Sequence, residues 1–427
     1  MRVNMPGSDS EITSIENIAA AQPQLPPIKS GLPRALCAAM ALQLAAGGAV
    51  IPFVTLLLRD RGLAFGQISQ IFSASAATLL VFPFLWGMLA DRYMPLNRLF
   101  AVLNLLACAA LALFAAQTGF AGLLITFTLF GACLGPTFSL INALGFHHLP
   151  DAREQFGRLR AWGSLGWIIP FVPISLWMIC SKDTRLDFAL YLGMGLCATM
   201  TVFSFWLPHT PPGGRRDGAE NAVRGAYLPA VKRLMHDPNY LVLLGSMFLV
   251  AGSYSLLTYY SPPFLEDVGV PRLWIGPIQA VGVICEIIFF QWQGLLIRRW
   301  NYAAVILLGC VALLMRHLIY SFTDNPWILS LSYALAGAVI VFYYMGVSVL
   351  VNAMARLEVR ATAQTLLLLF GSGLGPMFAH WTAGRLSAHF GNSLRPMFLL
   401  AAGLAALATL LILLRAAALN RAGNLKT

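Results

Sequence analysis

Two ionisable residues stand inside long apolar runs of this sequence. Glu286 lies in the run 283–288 and Arg316 in the run 313–317, whose other members are apolar apart from His317. A carboxyl group in such surroundings can exchange a proton, because burial favours the neutral acid whereas a nearby cation favours the carboxylate. The pattern predicts proton exchange at Glu286 under the influence of Arg316, although an ion pair that only fixes helix packing would use the same two residues.

Polar and aromatic side chains in other apolar runs are candidates to contact a bound solute. Amide groups inside a membrane hydrogen-bond either to solutes or to neighbouring helices. Tyrosine rings at depth offer flat faces to sugars, bases or aromatic acids. The candidates for lining a solute site are Gln43, Asn142, Tyr254, Tyr343 and Gln364.

The composition assigns these runs to a membrane. Of the 427 residues, 58% are hydrophobic and only 11% are charged, whereas roughly 25% are charged in soluble domains. The apolar residues form twelve stretches of about twenty, the length that spans a hydrocarbon core of about 30 Å as a helix. The stretches lack the alternation of a transmembrane barrel. We therefore predict an all-α membrane protein, with twelve transmembrane helices in two pseudo-symmetric six-helix bundles.

The polar stretch 208–238 divides the chain into two similar halves. Residues 86–93 align with residues 293–300 at an offset of 207. Repeated helical halves are common in transporters, whose solute site lies near the midplane where the repeats meet. The predicted organisation is a disordered cytoplasmic tail, an N-terminal six-helix bundle, a cytoplasmic linker, a C-terminal six-helix bundle and a second cytoplasmic tail, at residues 1–32, 33–207, 208–238, 239–415 and 416–427 respectively.

The loop charges predict the orientation of these spans. The two tails and the even-numbered loops contain 20 Lys and Arg residues, whereas the odd-numbered loops contain 6. The positive-inside rule then places both termini in the cytoplasm. The same distribution explains the net charge of +11, because the basic residues are scattered over several loops. It argues against a nucleic-acid-binding patch.

The sequence lacks the residue patterns that several other functions require. The seven cysteines contain no CxxC spacing, so neither a metal nor a disulfide is expected. No phosphate-binding GxxxxGK[ST] loop is present, and no cofactor is predicted. A membrane-embedded enzyme would need paired carboxylates for a metal, or a nucleophile with a base. The ends of the spans contain no DxxxD or HxxxH pair.

Several motifs resemble the major facilitator superfamily. Residues 87–92 are similar to its signature in the loop between spans 2 and 3, with glycine four residues before an Asp-Arg pair. Residues 156–166, residues 57–62 and residues 360–364 resemble the branch that holds phenylpropionate permease-like, nucleoside:proton symporter and lactose permease-like proteins. The resemblance extends over residues 33–415.

The resemblance implies roles for further residues. It assigns Gly87, Asp91 and Arg92 to a cytoplasmic gate. Arg158 and Arg160 would pair with acids near that gate. In lactose permease-like relatives, a Glu in span 8 and an Arg in span 9 belong to the coupling and binding machinery, and here these positions hold Glu286 and Arg316.

Two departures separate this chain from the lactose permease-like pattern. Span 10 contains neither an acid nor a histidine, so coupling of the lactose type does not follow. Arg298 stands where the second-half signature has Asp. The gating contacts of the second half must therefore differ from those of the first.

Together these features favour a secondary active transporter. We expect a monomeric proton symporter in the plasma membrane, the inner membrane of a bacterium, that moves a nucleoside, sugar or aromatic acid by alternating access. A transporter-like solute sensor or assembly partner is the alternative, and a membrane-embedded enzyme is a third class.

Overall fold

The computed structural model describes residues 33–149, 152–182, 184–211, 229, 231–356 and 359–424. Within these ranges, twelve helices are long and apolar enough to cross a membrane, as predicted. The predicted tail 1–32 and most of the predicted linker lie outside the described residues. In chain order, helices α1 to α12 are Arg34–Asp60, Phe65–Ala90, Leu96–Ala116, Phe120–His148, Gln155–Ser181, Asp187–Trp206, Pro238–Asp267, Arg272–Trp300, Tyr302–Phe322, Pro326–Met354, Thr362–His389 and Arg395–Gly423.

The helices pack as two six-helix halves that repeat one pattern of neighbours. In the first half α1 packs on α5 and α6, α3 on α4 and α6, and α2 on α4. In the second half α7 packs on α11 and α12, α9 on α10 and α12, and α8 on α10. Adding six to each label of the first half yields the second, which is the pseudo-symmetry expected from the sequence repeat.

Two helix pairs form the main contact between the halves. Helix α2 packs on α11, and α5 packs on α8. The repeat relates these two pairs, because α2 corresponds to α8 and α5 corresponds to α11. The two pairs contact each other's half on opposite sides of the boundary, which leaves room for a cavity between them.

Several of these helices are interrupted rather than straight. Helix α1 breaks at residues 51–53, where Pro52 cannot donate a backbone hydrogen bond. Helices α10 and α11 each contain a π-helical segment, Val339–Met345 and Leu369–Leu374. Such widened turns are frequent at functional sites.

The two ends of the bundle can be told apart by their connections. We call the end where α1 begins and residues 207–238 connect the halves the linker face, and the other end the opposite face. Helix α12 ends at the linker face and continues beyond the predicted boundary at 415 to Gly423. Leu419 is fully buried there, so these last turns pack on the second half.

Candidate functional site

A cavity of about 560 Å³ lies between the halves. Helices α1, α2, α4 and α5 of the first half and α7, α8, α9, α10 and α11 of the second contribute to its wall. Its described ionisable lining residues are Arg160, Glu286, Arg316 and His380, besides tyrosines. The volume falls within the usual range of pockets for small organic ligands, roughly 300–1,000 Å³.

Glu286 joins the halves across this cavity. Its Oε1 accepts a hydrogen bond of 3.0 Å from the Ser164 hydroxyl on α5. Arg160, also on α5, lines the same cavity as Glu286. The geometrically possible Glu286–Arg316 ion pair is not formed among the described residues, so that interpretation is corrected: α8 presents its carboxylate to the other half rather than to α9.

Arg316 lies among aromatic rings instead. Its guanidinium stands 4.0 Å from the centre of the Tyr333 ring and 5.7 Å from that of Tyr320. The residue lines the cavity but is only 3% exposed. Its Nε and Nη2 atoms are buried and donate to no acceptor among the described residues.

Arg160, which the resemblance assigns to the cytoplasmic gate, is found at the wall of the central cavity. It lines the cavity together with Ser164 and Trp167. Their spacing of four and then three residues places all three on one face of α5. This spacing in the sequence predicts that the three side chains share a helix face, whereas the resemblance to the gate region pointed to a different role for Arg160.

The other gate candidates lie towards the linker face. Gly87 and Arg92 line a second cavity of about 500 Å³. This cavity shares Leu79, Pro83 and other wall residues with the first, so the two adjoin. Arg158 is exposed, and the side chain of Asp91 lies outside the described residues.

Two of the five predicted lining residues reach the central cavity. Asn142 on α4 and Tyr254 on α7 both line it. The buried Oδ1 of Asn142 accepts no hydrogen bond from a described residue. The Tyr254 ring packs edge-on against Tyr344, with 5.8 Å between the ring centres.

The remaining three candidates connect helices away from the cavity wall. Gln43 is fully buried, and its Nε2 donates to Thr137 at 2.7 Å. Tyr343 donates to Ser246 at 2.8 Å. Gln364 hydrogen-bonds to Ser348 through both ends of its amide. Each amide or hydroxyl is thus used between helices, and the contact of these three residues with a solute stays a prediction.

Sequence reasoning missed several wall residues. Tyr333 on α10 lines the cavity, and its hydroxyl lies 2.7 Å from that of Ser261 on α7. Tyr259, which fits an interfacial aromatic belt by its position, also lines the cavity and packs on Phe72 at 4.2 Å between ring centres. Tyr259 stands near the end of the apolar run 239–260, where a residue at the membrane interface is expected. Helix α7 continues to Asp267, and the sequence therefore did not reveal that Tyr259 lines the cavity.

The opposite face closes the cavity with ion pairs between the halves. The Arg272 guanidinium contacts both carboxylate oxygens of Asp60, at 2.5 and 2.7 Å. Arg59 pairs with Asp267 at 2.6 Å. Below them, the Ser69 hydroxyl lies 2.6 Å from that of Tyr260. These contacts connect α1 and α2 to α7 and α8.

A cavity between two six-helix halves, with ionisable residues from both halves and ion pairs across one face, defines a secondary transporter of the major facilitator type. The model of the nucleoside H+ symporter family matches residues 32–418, and the chain belongs to that family. The predicted superfamily, fold and transporter class are thereby confirmed, as is a multi-pass protein of the inner membrane.

Known proteins resemble the chain over most of its length. The putative nucleoside transporter YegT of Escherichia coli strain K12 is 29% identical over 342 residues, which cover 77% of this chain and 78% of the relative. Nucleoside permease NupG of the same strain is 22% identical over 337 residues, covering 75% and 79%. A crystal structure of the nucleoside transporter NupG has a TM-score of 0.74 at 19% identity, covering 89% of this chain and 98% of that one.

Proposed function

We propose that this protein carries nucleosides into the cell by proton symport, and that Glu286 is the proton-coupling residue. The observation that supports this most directly is the contact between Glu286 and Ser164, which brings a buried carboxyl group to the boundary between the halves. A group at this boundary experiences a different environment when the halves move. Its protonation can therefore be coupled to that movement.

The charge balance of the cavity supports proton coupling. Arg160 and Arg316 supply two cations to the described wall, and Glu286 supplies the one carboxylate. Protonation of Glu286 removes this carboxylate charge and leaves the two guanidinium groups at the wall of the same cavity. A solute that binds to these guanidinium groups is then coupled to the proton through the charge balance of the cavity.

The cavity also suits the solute class. Tyrosine rings, the Trp167 ring and the amide of Asn142 contribute to its wall. Aromatic faces stack on a nucleobase, and amide and charged groups hydrogen-bond to its edge and to ribose hydroxyls. The family and the names of its relatives favour nucleosides over the sugars and aromatic acids that the sequence left open.

We further propose that the linker face is cytoplasmic and that the structure is open to the cytoplasm. The distribution of basic residues over the loops supports this orientation. The ion pairs at the opposite face would then close the outer side.

Reconstituted liposomes provide the test. Purified protein should accumulate labelled uridine or adenosine when the interior is made alkaline, and a protonophore should abolish the accumulation. A solute sensor would bind a nucleoside without flux under any gradient, and that result would contradict the proposal. Glu286→Gln serves as the matched variant, since it keeps the side-chain volume but cannot ionise.

A further inference from the structure

Arg316 is a buried cation at the cavity wall whose described surroundings leave two of its three guanidinium nitrogens without an acceptor. Its Nε and Nη2 atoms have no acceptor among the described residues, and the residue is 3% exposed. Burying a charge without a hydrogen-bonding partner is costly. A bound solute can provide the missing acceptors, because Arg316 lines the central cavity.

The groups around Arg316 favour a flat partner. Its guanidinium lies over the Tyr333 ring at 4.0 Å, and Tyr333 and Tyr254 both line the cavity. Aromatic side chains stack on nucleobases. A ribose has no such flat face, so this side of the cavity suits the base of a nucleoside.

The guanidinium then selects among bases by the direction of its hydrogen bonds. Arginine carries only donors, so it pairs with carbonyl oxygens and has nothing to offer an amino group. The hydroxyls of Tyr254 and Tyr333 can donate or accept, and they do not discriminate in this way. An amino group placed against the two buried donors would leave both sides without acceptors.

We propose that Arg316 makes the transporter selective for nucleosides with an oxo group on the base, such as uridine and inosine, over their amino counterparts cytidine and adenosine. This inference rests on the proposed nucleoside transport and adds to it the chemical feature that is recognised. Uridine and cytidine share the ribose and the ring, and they differ mainly where oxo and N–H replace amino and ring nitrogen.

Calorimetric titration of the purified protein with the four nucleosides tests the proposal. We expect uridine and inosine to bind about tenfold or more tightly than cytidine and adenosine, in line with a site built around hydrogen-bond donors. Arg316→Gln should bring each pair towards equal affinity, because a rotatable amide can accept as well as donate. Arg316→Lys keeps the charge but loses the planar fork and should weaken the preference.

Arg385→Gln is the matched control. Its guanidinium also lies 4.0 Å from an aromatic ring, that of Trp381, but Arg385 is exposed and outside the cavity. This variant should retain the full preference. If Arg316→Gln does not fold, Arg316→Lys decides the question in the same titration.

The outcomes separate this inference from the function on which it rests. Equal affinity of the wild type for oxo and amino nucleosides, or a preference that survives both Arg316 substitutions, would overturn the role of Arg316 and leave nucleoside transport intact. If none of the four nucleosides binds, proposed function and inference both fail.

Discussion

The Ser164 hydroxyl donates a 3.0 Å hydrogen bond to Glu286, and this contact joins α5 of the first half to α8 of the second. The two residues are 122 positions apart along the chain. The carboxylate therefore has its described partner in the other half of the molecule. Movement of the halves would change the environment of this group directly.

Replacing Glu286 with Gln should separate exchange from accumulation. The neutral amide can still accept a hydrogen bond from Ser164, but it cannot bind and release a proton. We expect gradient-driven uptake to be lost while exchange of labelled for unlabelled nucleoside continues. Both are measured in the same liposomes, and undiminished accumulation would contradict the coupling role of Glu286.

The two arginines at the start of α5 should behave differently. Arg160 lines the cavity, whereas Arg158 is exposed. Arg160→Gln is expected to weaken nucleoside binding about tenfold or more, since a hydrogen bond to a charged group contributes roughly 1.5–3 kcal/mol. Arg158→Gln is the control and should bind normally. If both variants weaken nucleoside binding equally, the effect does not depend on the position of Arg160 at the cavity wall, and the prediction is wrong.

Closure of the opposite face should depend on Asp60. Asp60→Asn removes the charge that faces Arg272, and a partly exposed ion pair contributes about 0–1 kcal/mol. We expect a shift of up to about fivefold towards states with that face open. Spin labels at Ala64 and Ala388, one in each half, would show this as a larger population at long distance.

Asp324→Asn is the matched control for this measurement. It breaks the pair with Arg395 at the same face, but both of these residues belong to the second half. The distance distribution should remain that of the wild type. A similar shift in both variants would show that surface charge, rather than the pair between the halves, controls closure.

Gly337 holds α10 against the backbone of Glu286. A Cβ atom added at Gly337 would stand 2.5 Å from the Glu286 nitrogen and 2.6 Å from the Gly282 oxygen, closer than packed atoms allow. Gly337→Ala should displace α8 and abolish uptake. Gly403→Ala on α12, whose Cβ would meet nothing within 4 Å, should transport normally.

Gln43 and Asn142 should separate stability from affinity. Gln43→Ala removes one of the hydrogen bonds of Thr137 and one of those of Asn104, at a cost of about 1–3 kcal/mol. It should lower the melting temperature and leave nucleoside affinity nearly unchanged. Asn142→Ala should do the reverse, because this amide lines the cavity. Thermal melting and calorimetric titration of both variants check the two outcomes.

Much of the architecture follows from the sequence alone. A hydrocarbon core requires long apolar helices, so the twelve runs predicted the twelve helices, and the offset of 207 predicted the repeated packing of the halves. The cost of intramembrane charge identified Glu286 and Arg316, and both line the cavity. The polarity of single side chains was a weaker guide, since Asn142 reaches the cavity whereas Gln43 connects helices.

The partners of the charged residues were decided only by the tertiary structure. Adjacency in sequence suggested that Glu286 on α8 would pair with Arg316 on α9. In the folded chain, Glu286 instead accepts a hydrogen bond from Ser164 on α5. Arg316 packs among tyrosines. A sequence restricts which helix face carries a charge, but the contact across two separately packed halves depends on how those halves dock.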